Sequence, residues 1–475
     1  MPPAPAADGG ASRPWIPYAV IAAAVLAAYA NAMGAAFQFD DWNVIVDQPR
    51  VAGLAAWWAS MPGIRPLLKL SYALNNAAGW EATGFHAVNV AIHLVNSWLV
   101  FALFARAGRA AQGAAPQGAA PRATDGRATR FAALAGALCF ALHPVQTESV
   151  TYVSGRSNAL MALLALASIL AWSVSGAPVA ARPFAPARLA SAALFAAALL
   201  VKETAAVLPL ALLLLAVTVF PERRVRSVLP LLAVLGAAAC AAIASPTYRR
   251  LFATSLEARG TGANLLTQAH GVVYLMGQVV RLERLNADPM LPVFESWSPR
   301  LVFDAAIIVA LLAVGVASIR RRPAPAFGIL WFFVWLLPTN SLLPRLDVVN
   351  DRQLYMALAG PAWIVACAVG MVAARRGPVV ALAPTLALAV ALGAATHARN
   401  RVYADEVVFW EDVARKSPHN GRALNNLGYA LALASRTDEA EAAFLGALAL
   451  DPADIRAAVN LRLLREGAPA PARPR

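Results

Sequence analysis

Eleven apolar stretches, most of them close to the roughly 20 residues that a helix needs to cross a hydrocarbon layer, recur along this chain. Nothing else in the sequence limits the fold so severely. They fall near Trp15–Met33, Phe85–Phe104, Phe131–Leu142, Ala159–Val174, Leu189–Val201, Ala205–Phe220, Val228–Ala244, Leu301–Ile319, Phe327–Leu337, Leu354–Ala373 and Val379–Ala395. Hydrophobic residues fill 59% of the 475 positions and charged residues 14%, where a soluble domain sits nearer half and a quarter. That imbalance excludes disorder, a collagen-like chain, a disulfide scaffold and a purely soluble enzyme. The reading is an all-α polytopic membrane protein with about eleven transmembrane helices. The first stretch is long and Asn31 to Gly34 make a poor cleavage site, so it reads as a retained anchor rather than a signal peptide. Cys139, Cys240 and Cys367 lie in apolar runs without a CxxC pair and read as small core residues.

Arginine supplies the orientation. Arg13, the linker with Arg106, Arg109, Arg122, Arg127 and Arg130, the pair Arg182 and Arg188, then Arg223, Arg224 and Arg226 fall on alternate sides of successive stretches. Arg320, Arg321 and Arg322, then Arg375 and Arg376, continue the alternation. All share one face, which the positive-inside rule makes cytoplasmic. The net charge of +14 is then a topological signal, and nucleic-acid binding is not needed to explain it. The N-terminal tail (1–14) is expected inside and the C-terminus outside. The substantial loops, Ala35–Gly84, His143–Asn158, Pro246–Arg300 and Pro338–Gln353, are all expected outside, whereas Gly108–Gly126 reads as a flexible linker. Chemistry is therefore expected on the outer face. Asn264–Leu285 is apolar on one side but carries Gln268, His270, Gln278, Arg281 and Glu283, and reads as an interfacial or re-entrant helix.

From about Arg401 the composition becomes soluble. Leu424, Leu427, Gly428, Leu431, Ala440, Phe444, Ala447 and Pro452 match tetratricopeptide spacing, and a 34-residue step links Pro452 to Pro418, Phe444 to Trp410 and Leu427 to Leu461. The tail (401–466) reads as half a repeat, one complete repeat and a closing helix, followed by a disordered end at 467–475. One repeat is below the usual stability minimum, so this unit is expected to lean on the membrane body. It serves either as a capping module or as a peptide groove.

Several polar groups stand where a membrane protein can ill afford them. Phe39-Asp40-Asp41-Trp42 follows the first stretch. One carboxylate of such a pair can act as a base while the other orients it, or the pair can simply cap a helix end. His86, Asn89, His93 and Asn96 share one helical face and either line a site or hydrogen-bond to neighbouring helices. His143, Glu148 and Arg156 lie on one outer loop and could serve an anionic ligand, or Glu148 and Arg156 could pair. Lys202, one of three lysines in the chain, sits beside Glu203 between two apolar runs and either pairs with a carboxylate or meets a phosphate. Asp347, Asn350, Asp351, Arg352 and Tyr355 open the tenth stretch, with Arg352 free to bind phosphate or to snorkel. No Gly-Lys dipeptide and no His-Glu dipeptide occurs, which removes a P-loop and an HExxH zinc site. No paired broken helices suggest a transporter.

Taken in order, Phe39-Asp40-Asp41, Arg65-Pro66-Leu67 with Tyr72, Gly84-Phe85-His86 through Asn96, His143-Pro-x-x-Thr-Glu-x-Val, Lys202-Glu203, Asp351-Arg352-x-Leu-Tyr355 and Arg399-Asn400 before a repeat resemble a family pattern. The set is similar to the transmembrane and tetratricopeptide repeat-containing O-mannosyltransferases, glycosyltransferases of the GT-C class, from about Pro14 to Leu464. The resemblance implies a GT-C-like transmembrane catalytic domain over 15–400 that transfers one sugar, mannose in the family, from a polyprenyl-phosphate-sugar donor. The acceptor would be a protein Ser/Thr hydroxyl on the non-cytoplasmic face. It further implies Asp40 or Asp41 as the catalytic base, and Lys202, Arg156 and Arg352 as donor-phosphate ligands. Arg65, His86, His143, Glu148, Glu203 and Tyr355 would line the substrate pocket. Arg352 follows Asp351 where the family often has Glu-Arg, and the tail is far shorter than the family's long arrays. No metal-ligand cluster stands out, and a divalent cation is left open. The partners expected are a lipid-linked donor, an envelope acceptor and membrane lipids, with a protein partner at the repeat. The Ala/Arg/Pro-rich, Lys-poor composition suggests a bacterium with GC-rich DNA, and the expected location is the bacterial inner membrane. The rival reading is a non-enzymatic scaffold that recruits envelope-assembly partners through its repeat.

Overall fold

The computed structural model describes residues 13–113, 126–174, 186–221 and 225–467. Arg122, Arg182, Arg223, Arg224, most of the N-terminal tail, the middle of the 108–126 linker and residues 468–475 lie outside the described residues. Among the described residues regular structure is helical throughout, without a strand. Eleven apolar helices correspond one to one with the sequence stretches: α1 (Ile16–Ala28), α2 (Ala82–Gly113), α3 (Gly126–Leu142), α4 (Arg156–Val174), α5 (Pro186–Val201), α6 (Leu208–Thr218), α7 (Leu229–Ala244), α8 (Pro299–Ser318), α9 (Pro323–Leu336), α10 (Ala359–Arg376) and α11 (Pro378–Asn400). By length and composition five helical segments can cross a membrane, or seven when the bent pairs at the end of α3 and the start of α10 each count as one. The remaining four, α1, α5, α6 with its leading turn, and α9, are shorter apolar helices. The protein is an all-α, multi-pass membrane protein.

Small residues let the helices approach. α3 sits at the centre, against α1, α2, α10 and α11, and eleven of its residues are buried, most of them Ala or Gly. Gly328 on α9 and Gly360 on α10 face each other so closely that a Cβ at Gly328 would meet the Gly360 carbonyl at 2.8 Å. Such backbone-to-backbone contact is the favoured way to join helices where lipid removes the hydrophobic drive. The polar stripe of α2 faces inward. His86, Asn89, His93 and Asn96 are all fully buried, and each bonds to another element. His86 Nε2 reaches Ala35 O, Asn89 Nδ2 donates to Val150 O, and Asn96 Nδ2 donates to Ala159 O. His93 Nε2 donates to Ala141 O at 2.9 Å, which leaves Nδ1 to accept from Tyr355 Oη at 2.8 Å. These are interhelical ties.

The connections at one end of the bundle gather into a cap. The α1–α2 connection forms short helices Leu54–Ala59 and Pro66–Ala77. Helix Thr261–Gln278, within the segment expected to be interfacial or re-entrant, packs on α8. There His270 Nδ1 meets the buried Asp304 carboxylate at 2.8 Å. Four further helices, α12 (Glu406–Lys416), α13 (Gly421–Leu433), α14 (Thr437–Leu450) and α15 (Ile455–Arg465), close the chain. α12 packs on α13, α13 on α14 and α14 on α15. Asp405, Asn420 and Asp454 accept from backbone N–H groups at the starts of α12, α13 and α15, as good N-caps do.

Candidate functional site

The site is built where the cap meets the bundle. Phe39 takes the left-handed backbone region at φ 44°, a cost for a bulky side chain. Trp410 of α12 packs edge-on at 5.2 Å and the Arg422 guanidinium lies 5.5 Å from its ring, which hold it there. The twist separates the fates of the next two residues. Asp41 turns inward and is fully buried. Its carboxylate accepts from Gln38 N at 2.9 Å, Ser154 N at 2.7 Å and Ser154 Oγ at 2.5 Å. Burial pushes its carboxyl up to about 7, against the lowering effect of those hydrogen bonds. Asp40 faces out with its side chain 37% exposed, and its Oδ2 stands 3.7 Å from Arg352 Nη1. The Asp40 backbone N–H donates to Tyr152 Oη at 3.0 Å.

Arg352 is the hub. Its backbone N–H donates to Glu148 Oε2 at 3.0 Å, its Nε lies 3.8 Å from Glu148 Oε1, and its guanidinium carbon is 5.7 Å from the Tyr152 ring centre. Lys202 is buried, and Nζ donates to Ser157 Oγ at 3.1 Å and Asn158 Oδ1 at 2.7 Å. Burial is the main cause that drives its pKa well below the ordinary lysine value. Arg65, Arg352 and Arg345 lower it further, and Glu203 opposes them. Positive charge thus accumulates around an ammonium whose contacts are neutral, which is the environment an anion would relieve. Arg65 forks onto Glu203, with Nη2 at 2.7 Å and Nε at 2.9 Å from Oε2, and Tyr248 Oη donates to Oε1 at 3.2 Å.

Glu203 and Tyr248 also line one end of a groove of about 1270 Å³. Its wall is apolar, with Leu199 and Leu200 of α5, Ala206, and Leu235 and Ala238 of α7, and the loop around Pro62 and Ile64 covers it. An apolar groove whose lining includes Arg50, Arg250 and Glu203, the last held by Arg65 next to Lys202, suits an amphiphile with an anionic head.

The remaining expected site residues lie elsewhere. Arg156 is fully enclosed and spends its guanidinium on Asn89 Oδ1, Asn75 Oδ1, Ser71 O and Phe85 O. The Tyr72 ring centre is 4.8 Å away. His86 and Tyr355 belong to the interhelical stripe. His143 caps its own turn through Val145 N, and its Nε2 donates to Val279 O at 2.9 Å. Conversely, sequence reasoning passed over Arg345, Tyr152, Ser154, Ser157, Asn158 and Tyr248. Tyr152 stands one helical turn beyond Glu148, and Arg345 is an arginine on a loop expected outside, against the charge bias; either could have been noticed. Among the described residues no group of three or more His, Cys, Asp or Glu is placed to hold a metal ion.

The arrangement defines a class, a multi-pass α-helical membrane protein with carboxylates and several cations clustered on loops, one of whose members, Glu203, also lines an apolar groove. Similarity to known proteins is more specific. The chain is 32% identical over 146 residues to Protein O-mannosyl-transferase Tmtc1 of Drosophila melanogaster, over 27% of this chain and 15% of that protein. It is 31% identical over 173 residues to Protein O-mannosyl-transferase Tmtc2 of the same organism, over 32% and 16% of the two chains. To Protein O-mannosyl-transferase TMTC4 of Homo sapiens it is 28% identical over 170 residues, 32% of this chain and 22% of that one. The matches thus span about a fifth or less of these relatives' own length. No family model matches the chain. The likeness suggested by the ordered motifs is therefore a likeness to this group of transferases.

Proposed function

We propose that the protein is a GT-C-type glycosyltransferase that moves one sugar, mannose by analogy with its relatives, from a polyprenyl-phosphate donor to a Ser or Thr hydroxyl of a protein. The observation that carries this reading is that Glu203, which lines the apolar groove, is held by Arg65 next to Lys202, with Asp40 3.7 Å from Arg352. The isoprenoid chain lies in the groove, and the phosphate sits among Lys202, Arg345 and Arg352. Asp40 is the base. Its exposed carboxylate takes the proton of the acceptor hydroxyl as that oxygen attacks the anomeric carbon. The bond from that carbon to the phosphate oxygen breaks, and the departing phosphate keeps the electron pair. Fixed cations hold the charge as it grows, the larger share of catalysis in such transfers. Asp41 positions Asp40 by anchoring the loop to Ser154. Glu148 and Tyr152 position Arg352, and Arg156 braces the start of α4 beneath Lys202. The eleven apolar helices are eleven crossings. In this reading the site and α12–α15, a short tetratricopeptide unit, lie on the outer, periplasmic face of a bacterial inner membrane.

The test uses the full chain in liposomes with polyprenyl-phosphate-mannose and a protein acceptor. Transfer is expected from the wild type. Asp40→Asn should lower turnover by about 10²-fold or more, the scale of a lost general base, with insertion and thermal unfolding unchanged. Undiminished transfer by Asp40→Asn would sink the assignment.

A further inference from the structure

A second apolar cavity, of about 190 Å³, lies at the other end of the bundle from the groove. It sits between the last turns of α2 and α10 and the first turns of α3 and α9, where Gly108, Ala132, Ala324 and Gly370 leave room. Phe104 and Trp363 close it toward the middle of the bundle. The space slightly exceeds the roughly 150 Å³ of an apolar cavity that stays dry and takes up benzene. Trp363 Nε1 is already spent on Ala324 O at 2.9 Å, so water gains little by entering. Ala111 is exposed and Gly108, Ala128 and Gly370 are half-buried, which leaves the cavity open on the flank of the bundle.

The rim is as charged as the wall is apolar. Arg109 follows Gly108 on α2, Arg320, Arg321 and Arg322 run up to the start of α9, and Arg375 and Arg376 end α10. All six are exposed, and among the described residues none of them meets a carboxylate. On α10 the lining runs from Trp363 to Gly370, about 10 Å at 1.5 Å per residue, and Arg375 follows about 8 Å further on. An apolar slot with cations beyond its mouth is spaced like a fatty chain and the phosphate at its head. Basic pockets between membrane helices recognise anionic lipids in this way. A second copy of the chain docked here would instead set arginine against arginine.

We propose that this crevice binds an anionic diacyl phospholipid, with part of one acyl chain in the cavity and the phosphate among Arg109, Arg322 and Arg375. The isoprenoid chain of a sugar donor has its own place in the far larger groove of about 1270 Å³ at the opposite end, so the occupant here is a lipid of the bilayer and not the carrier. The bound lipid staples α2, α3, α9 and α10 together. The site follows from the helix bundle alone and does not depend on the transferase reading.

The test uses the full-length protein in detergent with a phosphatidylglycerol that carries a photoreactive diazirine in one acyl chain. Adducts mapped by peptide mass spectrometry are expected in 104–111, 128–133 and 363–370. Each arginine beside an anionic surface is worth about a fivefold preference. Unlabelled phosphatidylglycerol should therefore displace the probe at a concentration about tenfold or more below that of phosphatidylcholine. The double variant Arg375→Gln, Arg376→Gln should erase about tenfold or more of that advantage and leave phosphatidylcholine unchanged. Cys367→Phe, which fills the cavity, should remove the adducts in 363–370. The competition needs no variant, so it stands even if either variant misfolds. Equal potency of the two phospholipids, adducts confined to other segments, or undiminished 363–370 adducts in a folded Cys367→Phe protein would each overturn the inference. So would displacement by polyprenyl phosphate but not by phosphatidylglycerol, which would give the crevice to the carrier. No arm reads sugar transfer, so the outcome is separate from that of the proposed reaction.

Discussion

Asp40 and Asp41 are chemically identical neighbours that the fold sends to opposite tasks. The left-handed turn at Phe39 points one carboxylate at Arg352 and buries the other under three donors. Asp41 has a testable pH signature. Its carboxyl titrates near 7 in the folded protein, against about 3.9 in an unfolded chain. Between those values the folded state holds a proton that the unfolded state has released. This group's contribution to stability therefore falls as pH rises from about 4 to 7 and is constant outside that window. The melting temperature of the wild type in detergent is expected to drop across the window relative to Asp41→Asn, by a few degrees. Parallel melting curves for the two proteins would refute the assignment. An Asp-Asp pair after an apolar run was readable from sequence, but the division of labour was not. It depends on a backbone conformation that Phe rarely adopts and on Ser154, 113 residues further on. Arg156 shows the converse limit. An arginine near a helix start in a membrane protein invites a ligand role, yet neutral oxygens from two separate helices occupy it, and no local pattern announces that.

At the scale of elements, α12–α15 are clamped to the bundle. Arg399 at the end of α11 pairs with Asp412 of α12 at 2.5 Å, and Lys416 reaches both Asp412 at 2.9 Å and Leu285 O at 2.7 Å. Arg422 of α13 bridges Asp288 and Asp347, two separate loops, and Asn286 ties Ser417 to Asp351 beside Arg352. Cutting one member of a buried pair leaves the other charge stranded, at a cost of about 3–5 kcal/mol. Asp412→Ala is expected to release α12–α15 to protease well below the temperature at which the bundle unfolds. A proteolysis pattern like that of the wild type would show the clamp to be dispensable. The apolar helices were legible because each is a nearly unbroken apolar run, and α12–α15 because Leu427, Gly428, Ala440 and Phe444 follow a packing rule that needs no distant partner. The clamp was not, since single charges scattered over 286–422 carry no spacing that links them.

For the whole molecule, the proposed geography makes one firm demand. The loops at 35–84, 143–158, 246–300 and 338–353 and the C-terminal helices must open on the same side of the membrane, opposite Arg106, Arg320 and Arg375. Single cysteines placed at Ser60, Glu257 and Asp438 in a cysteine-free background should react with an impermeant maleimide on sealed cells. Cysteines at Arg109 and Arg321 should react only after permeabilisation. Labelling of Ser60 and Arg109 from the same side would end both the topology and the reaction built on it.

The bridge from Arg422 to Asp288 and Asp347 also bears on engineering. A longer helical tail cannot simply be spliced on after α11 in place of α12–α15. The graft would have to bring matching residues for the 286–290 and 345–351 turns, or else the guanidinium beside Phe39 would go missing and the loop that carries Asp40 and Asp41 would lose its brace. Chimeras that exchange those two turns together with the tail should keep working where tail-only swaps fall silent, which makes the seam, and not the length of the tail, the unit to design around.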